Sequence, residues 1–267
     1  MKKFIAVALL TAGMGTVSQA HAHRAWILPS ATVLAGDTAW VTMDGAISNS
    51  LFYFEHHPLN LDQLEIVDPD GEPVEAQNKA SGKYRSVFDT ELKKDGTYTF
   101  EIRYSGLVGM YKLNDKPVRW RGRADEVKDI PEDAKGLRLF EVDNLMQVFV
   151  TKGAPTYETF GTQGVGLEMV PVTHPNDLFA GEVSEFRFLV DGEPAEDLNV
   201  VLIRDGIRYR DQVDEIQLKT DAGGGISVEW ETPGMYWLEA ELEQPGTRSD
   251  TAKRRMSYSA TVEVLPL

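Results

Sequence analysis

The sequence predicts an all-β protein made of two immunoglobulin-like or prealbumin-like β-sandwich domains, and three observations carry that expectation. Short segments rich in Val, Ile, Tyr, Phe, Trp and Thr recur along the chain. Several alternate with period two, so that Tyr98, Phe100 and Ile102 share one face of their segment. Asp-Gly pairs at 70–71, 95–96, 191–192 and 205–206 punctuate these segments as tight turns. Third, no long stretch shows the 3.6-residue period and caps of a helix. The segment 124–135 offers a helical turn or two and is broken by Pro131.

In chain order, the expected strands are 38–43, 86–92, 97–104 and 147–151, then 185–190, 198–204, 226–231, 236–242 and 258–264. Ahead of them, residues 1–22 read as a signal peptide. Lys2 and Lys3 precede a short apolar run, and Ser18, Ala20 and Ala22 offer small residues at cleavage spacing. Nothing later approaches about 18 consecutive apolar residues. The expected product is therefore a soluble exported protein, periplasmic in a bacterium, with no direct membrane insertion. Its first domain spans 23–160 and carries a long loop at 106–136. A Gly-rich linker at 161–166 leads to the second domain at 165–267.

Composition narrows the chemistry. The chain has 267 residues, a net charge of −15 and no cysteine. That excludes disulfides, thiolate zinc sites, iron–sulfur ligation and cysteine nucleophiles. The acidity argues against a nucleic-acid partner, whose phosphates need concentrated Lys and Arg. The sequence has no nucleophile elbow, His-Glu-x-x-His, phosphate loop or dinucleotide fingerprint. The run 221–225 reads as a turn between strands, Asp68, Asp70 and Glu72 as a surface hairpin, and Arg204, Arg208 and Arg210 as salt-bridging cations.

Histidine is the informative residue. Of five, His21 and His23 flank the expected cleavage site. A cut after Ala22 makes His23 the N-terminus, where its α-amine and ring Nδ1 chelate one metal and a further imidazole completes a histidine brace. A cut after Ala20 instead gives a His-Ala-His terminus suited to square-planar Cu(II) or Ni(II). His56 and His57 follow an aromatic run, and in a strand only one of two neighbours joins a given face. His174 lies at the entry to the second domain, in Thr173-His174-Pro175-Asn176-Asp177.

These motifs carry a resemblance. His23-Arg24-Ala25-Trp26-Ile27-Leu28-Pro29 and then Gly36-Asp37 resemble the start of exported bacterial proteins that begin His-x-x-Trp-x-x-Pro. The likeness continues through Phe54-Glu55-His56-His57-Pro58-Leu59, Arg119-Trp120-Arg121-Gly122, Thr173-His174-Pro175 and Pro233-Gly234-Met235-Tyr236-Trp237-Leu238. The chain thus resembles a domain-of-unknown-function family labelled NikM-like, associated with nickel or cobalt uptake. The resemblance implies a periplasmic β-sandwich whose terminal histidine, His23, binds a divalent metal together with His56. The integral component of such importers carries a membrane span, which this sequence lacks. The expected role is a non-enzymatic carrier or accessory of an inner- or outer-membrane metal transporter, with His174 or His57 as a third ligand. Nickel, cobalt and copper are all candidate metals, and nitrogen ligands favour copper. Two alternatives stand beside it: a metal-free binding module with an exposed aromatic patch around Trp120 or Trp26, and a copper-dependent oxidase built on the brace.

Overall fold

The computed structural model describes residues 23–248 and 250–267. The expected signal peptide and both of its cut sites lie outside them. The first strands are β1 (Arg24–Pro29), β2 (Val33–Leu34), β3 (Ala39–Ser48), β4 (His57–Pro58), β5 (Leu64–Val67), β6 (Gln77–Ser81) and β7 (Ser86–Leu92). Then come the long β8 (Gly96–Leu113), β9 (Lys116–Gly122), a 3-10 turn at Ala124–Asp129 and the long β10 (Lys135–Lys152). The remaining strands are β11 (Leu167–Pro171), β12 (Val183–Val190), β13 (Glu193–Pro194), β14 (Asn199–Arg204) and β15 (Ile216–Lys219). They end with β16 (Gly225–Glu229), β17 (Gly234–Pro245) and β18 (Thr251–Val264). The all-β class and its sandwich architecture are as the sequence predicts. Among the described residues, no helix is long and apolar enough to cross a membrane.

The strands form three sheets. One is β1-β3-β7-β6, with β4 also on β3, and another is β11-β12-β13 with β16 on β12. Between them lies a nine-stranded sheet, β15-β14-β17-β18-β10-β8-β5, with β2 on β10 and β9 on β8. Period-two alternation places the cores. On β10, Leu145 and Phe149 join Phe186, Phe188 and Trp230 on one face, while Val148 and Val150 join Phe88, Phe100 and Met43 on the other. The outer sheets therefore pack on opposite faces of the central one. A third core holds Trp26, Ala46 and Leu51 against Ile203 and Trp237. There the Trp237 indole N–H donates to the Ala25 carbonyl at 3.1 Å.

Two expectations change here. The regions 23–160 and 165–267 each supply one outer sheet, but they share the central sheet. β10 and β18 pair in parallel, from Leu139 opposite Thr251 to Val148 opposite Thr261. The stretch 106–136 is not a long loop. It forms the far end of β8, all of β9 and the 3-10 turn, a wing extending the central sheet. Asn114 and Asp115, at φ 51° and 60°, make the two-residue turn joining β8 to β9 without an Asp-Gly signature. Gly109 lets Trp120 close over the wing, since a Cβ there would meet Leu139 and Trp120 at 3.2 Å.

Candidate metal-binding edge

β3 ends between two neighbours. β1 pairs along one side, with Arg24 opposite Ser48, and the two-residue β4 pairs along the other, with His57 opposite Ile47. The chain before β1 and the chain before β4 therefore arrive at the same end of β3. Trp26, fully buried, anchors this end: its indole N–H donates to Ser48 Oγ at 2.9 Å, and its ring packs edge-on against Phe52 with centroids 5.3 Å apart. Trp26 thus offers no exposed aromatic patch. The loop after β3 is held by Ser50, whose backbone N–H donates to Glu55 at 2.5 Å, and by the Tyr53 N–H bonding back to Ser50.

This scaffold brings together three of the four histidines among the described residues. The rings of His23 and His56 lie 3.7 Å apart by centroid, and those of His56 and His57 lie 4.3 Å apart. His23 and His57 are exposed and His56 is half-buried, so the edge is open to solvent. Desolvation first, then the neighbouring His23 and His57 rings, hold the His56 imidazole below its ordinary value, while Glu55 pulls the other way. A ring so placed favours the neutral, ligating form. No group of three or more His, Asp or Glu side chains among the described residues surrounds a common metal position. A brace makes no such demand, because His23 supplies two nitrogens itself and needs one more ring. Neutral imidazole nitrogens without thiolates suit copper, nickel, cobalt or zinc.

Asn49 is a participant that sequence reading missed. Its Oδ1 lies 2.6 Å from His23 Nδ1, the nitrogen a brace uses, and its carbonyl accepts from Arg24 at 3.3 Å. Arg24 also pairs with Glu215 at 3.3 Å and lies over the Trp237 ring. Below it, Glu239 is raised to about 7, first by desolvation and then by Glu241, with Arg24 opposing. The only sequence signal for Asn49 was a polar Ser-Asn-Ser stretch after a strand.

His174 lies elsewhere. It is fully buried, and both ring nitrogens are engaged: Nδ1 accepts from the Asn176 backbone N–H at 3.0 Å. Nε2 then carries the proton, facing the Thr156 carbonyl and Thr97 Oγ1, each at 3.0 Å. Tyr157 and Phe160 cover the ring. With no lone pair free, His174 is a structural histidine that holds the chain after β10 onto β8. A cleft of about 410 Å³ near Glu141 and Arg254 is likewise internally satisfied. Glu141 accepts from the Thr247 and Arg248 N–H groups, and Arg254 pairs with Asp143 and Asp191.

A family model described as a domain of unknown function (DUF4198) matches residues 20–244. Its description carries no nickel or cobalt association. No curated protein matches the chain. Among solved structures, the chain is similar to the D0-D1 domain of intimin at 10% identity and a TM-score of 0.24, covering 90% of this chain and 97% of that one. It is similar to the D00-D0 domain of intimin at 9% identity and a TM-score of 0.21, covering 91% and 100%.

Proposed function

The chain belongs to the DUF4198 family of domains of unknown function, and on that premise we propose that it is an exported metal-binding protein. It takes one divalent transition-metal ion at the edge of β1, β3 and β4. The supporting observation is the gathering of His23, His56 and His57, 33 and 34 positions apart in sequence, at one open edge. His23 supplies its ring Nδ1 and, once the leader is removed after Ala22, its α-amine. The His56 ring is the third donor, with His57 beside it. Asn49 holds the His23 ring in place until a metal takes Nδ1. The bound ion contributes only charge and ligand preference: amine and imidazole donors favour copper over nickel and nickel over cobalt. The reading is of a periplasmic carrier or accessory that delivers the ion to a membrane transporter, without catalysis.

Calorimetric titration of processed protein with copper, nickel and cobalt tests this. One ion binds per chain, in the order copper, nickel, cobalt. Binding is lost in His23→Ala and His56→Ala and after any extension ahead of His23. It weakens in acid, because the α-amine and the imidazoles must give up protons to bind the ion. Binding unchanged by both substitutions would remove the reading.

A further inference from the structure

The wing carries a second surface. In its strands, residues 106–122 and 135–140, six cations (Lys112, Lys116, Arg119, Arg121, Lys135 and Arg138) stand against one acid, Asp115, in a chain of net charge −15; the connecting segment 123–134 adds two cations and five acids. None of the six forms an ion pair with a described residue. Five share one face of the sheet, because cross-strand partners project to the same side. Register places Arg138, Met110 and Arg119 in one row across β10, β8 and β9, and Phe140, Val108 and Arg121 in the next. Lys135, Lys112 and Pro117 form the row beyond. Rows are separated by about 7 Å and strands by about 4.8 Å, so the charges form a two-dimensional array.

The array is mixed with apolar groups. Met110 is 47% exposed, the Arg121 guanidinium lies over the Tyr104 ring at 4.0 Å, and Arg255 lies over Phe140 at 5.0 Å. Glu243, on an adjoining strand, is already engaged by Lys253 and Arg255. We propose that this face docks on an anionic phospholipid surface. Unpaired guanidinium and ammonium groups meet the phosphates while Met110 and the half-buried rings reach the headgroup boundary. An acidic peptide adding to the sheet would need the open edge of β9, where Pro117 lacks the N–H donor. The contact therefore belongs to the face, and a face presenting charge in two dimensions fits a surface better than a strand. The acidic remainder of the chain is repelled by the same membrane, which leaves one orientation for docking.

Co-sedimentation of the whole processed chain with vesicles tests this, with chelator present so that no metal bridges the two. The protein binds phosphatidylcholine vesicles containing roughly one third phosphatidylglycerol at about 0.1 M salt, and releases at about 1 M. It ignores vesicles of phosphatidylcholine alone. The triple variant Arg119→Glu, Arg121→Glu, Arg138→Glu loses about a hundredfold in affinity or more. Single Arg119→Gln and Arg138→Gln variants, each losing about fivefold, give the same reading if the triple variant misfolds. His56→Ala binds vesicles as the parent does, so failure here is separable from failure of the metal reading. Wild-type protein that ignores anionic vesicles, or binds soluble polyglutamate in preference to them, overturns the proposal. So does a folded triple variant that sediments like the parent.

Discussion

Glu239 and His174 both resist ionisation, with opposite consequences for pH. Glu239, on β17 opposite Ser259, keeps its proton up to about 7. An unfolded chain releases that proton near 4.5, so stability is lost as pH climbs from there towards 7. Glu239→Gln removes the penalty and stabilises by about 2 kcal/mol near pH 8, with no gain near pH 4, read from urea midpoints. His174 is depressed, chiefly by desolvation. Its contribution is complete above the ordinary imidazole value and declines as pH falls through it, because the unfolded chain takes up a proton that the folded one refuses. His174→Ala leaves the Thr156 carbonyl and the Asn176 N–H without their partner and costs about 2–4 kcal/mol in the same assay, with metal content unchanged. The four candidate histidines were legible in the sequence as residues, and their sorting was not. His23 and His56 meet because a two-residue strand flanks the end of β3, too short to leave a periodic signal. His174 is occupied by threonines 77 and 18 positions away.

At the scale of elements, period-two segments were the most legible feature. The alternating β7 buries Ser86, Phe88, Thr90 and Leu92 as its pattern requires. What escaped was turn chemistry outside Asp-Gly: the Asn114-Asp115 turn converts an apparent loop into a hairpin. The polar, exposed β6 likewise lacks a hydrophobic pattern. The glycine run before β16 forms the turn its sequence predicts, and its members are not equivalent. Gly224 sits at φ +75°, and a Cβ there would run into the Phe188 carbonyl oxygen, whereas one at Gly223 would meet only Asp221 Oδ1 at 3.3 Å. Gly224→Ala destabilises by about 2–4 kcal/mol and Gly223→Ala by less than about 1 kcal/mol, compared by thermal melting.

The whole molecule turns on the central sheet. Sequence suggested two bodies joined by a glycine-rich linker because strand pairing between distant segments leaves no local mark. β10 and β18 are separated by about a hundred residues, yet they pair over ten positions. Leu145 and Phe149 of the first region lie in the core of the second. The two regions therefore unfold together. Urea unfolding followed by tryptophan fluorescence and by far-ultraviolet dichroism gives one coincident transition. Residues 165–267 alone, deprived of β10, do not give that transition. Two separated transitions, or an independently folded second half, would contradict the shared sheet.

That continuity also presents the histidine edge on a rigid support, since Trp26 ties β1 into the third core. In the proposed function this edge holds a metal through a terminal histidine. This is tested most directly by intact mass and elemental analysis of protein exported and processed by its own leader, because any tag ahead of His23 destroys the amine ligand. The expected product is a mature chain that begins at His23 and carries about one copper, nickel or cobalt per chain, lost in His23→Ala. A chain that begins at His23 and remains metal-free after exposure to each ion would contradict it.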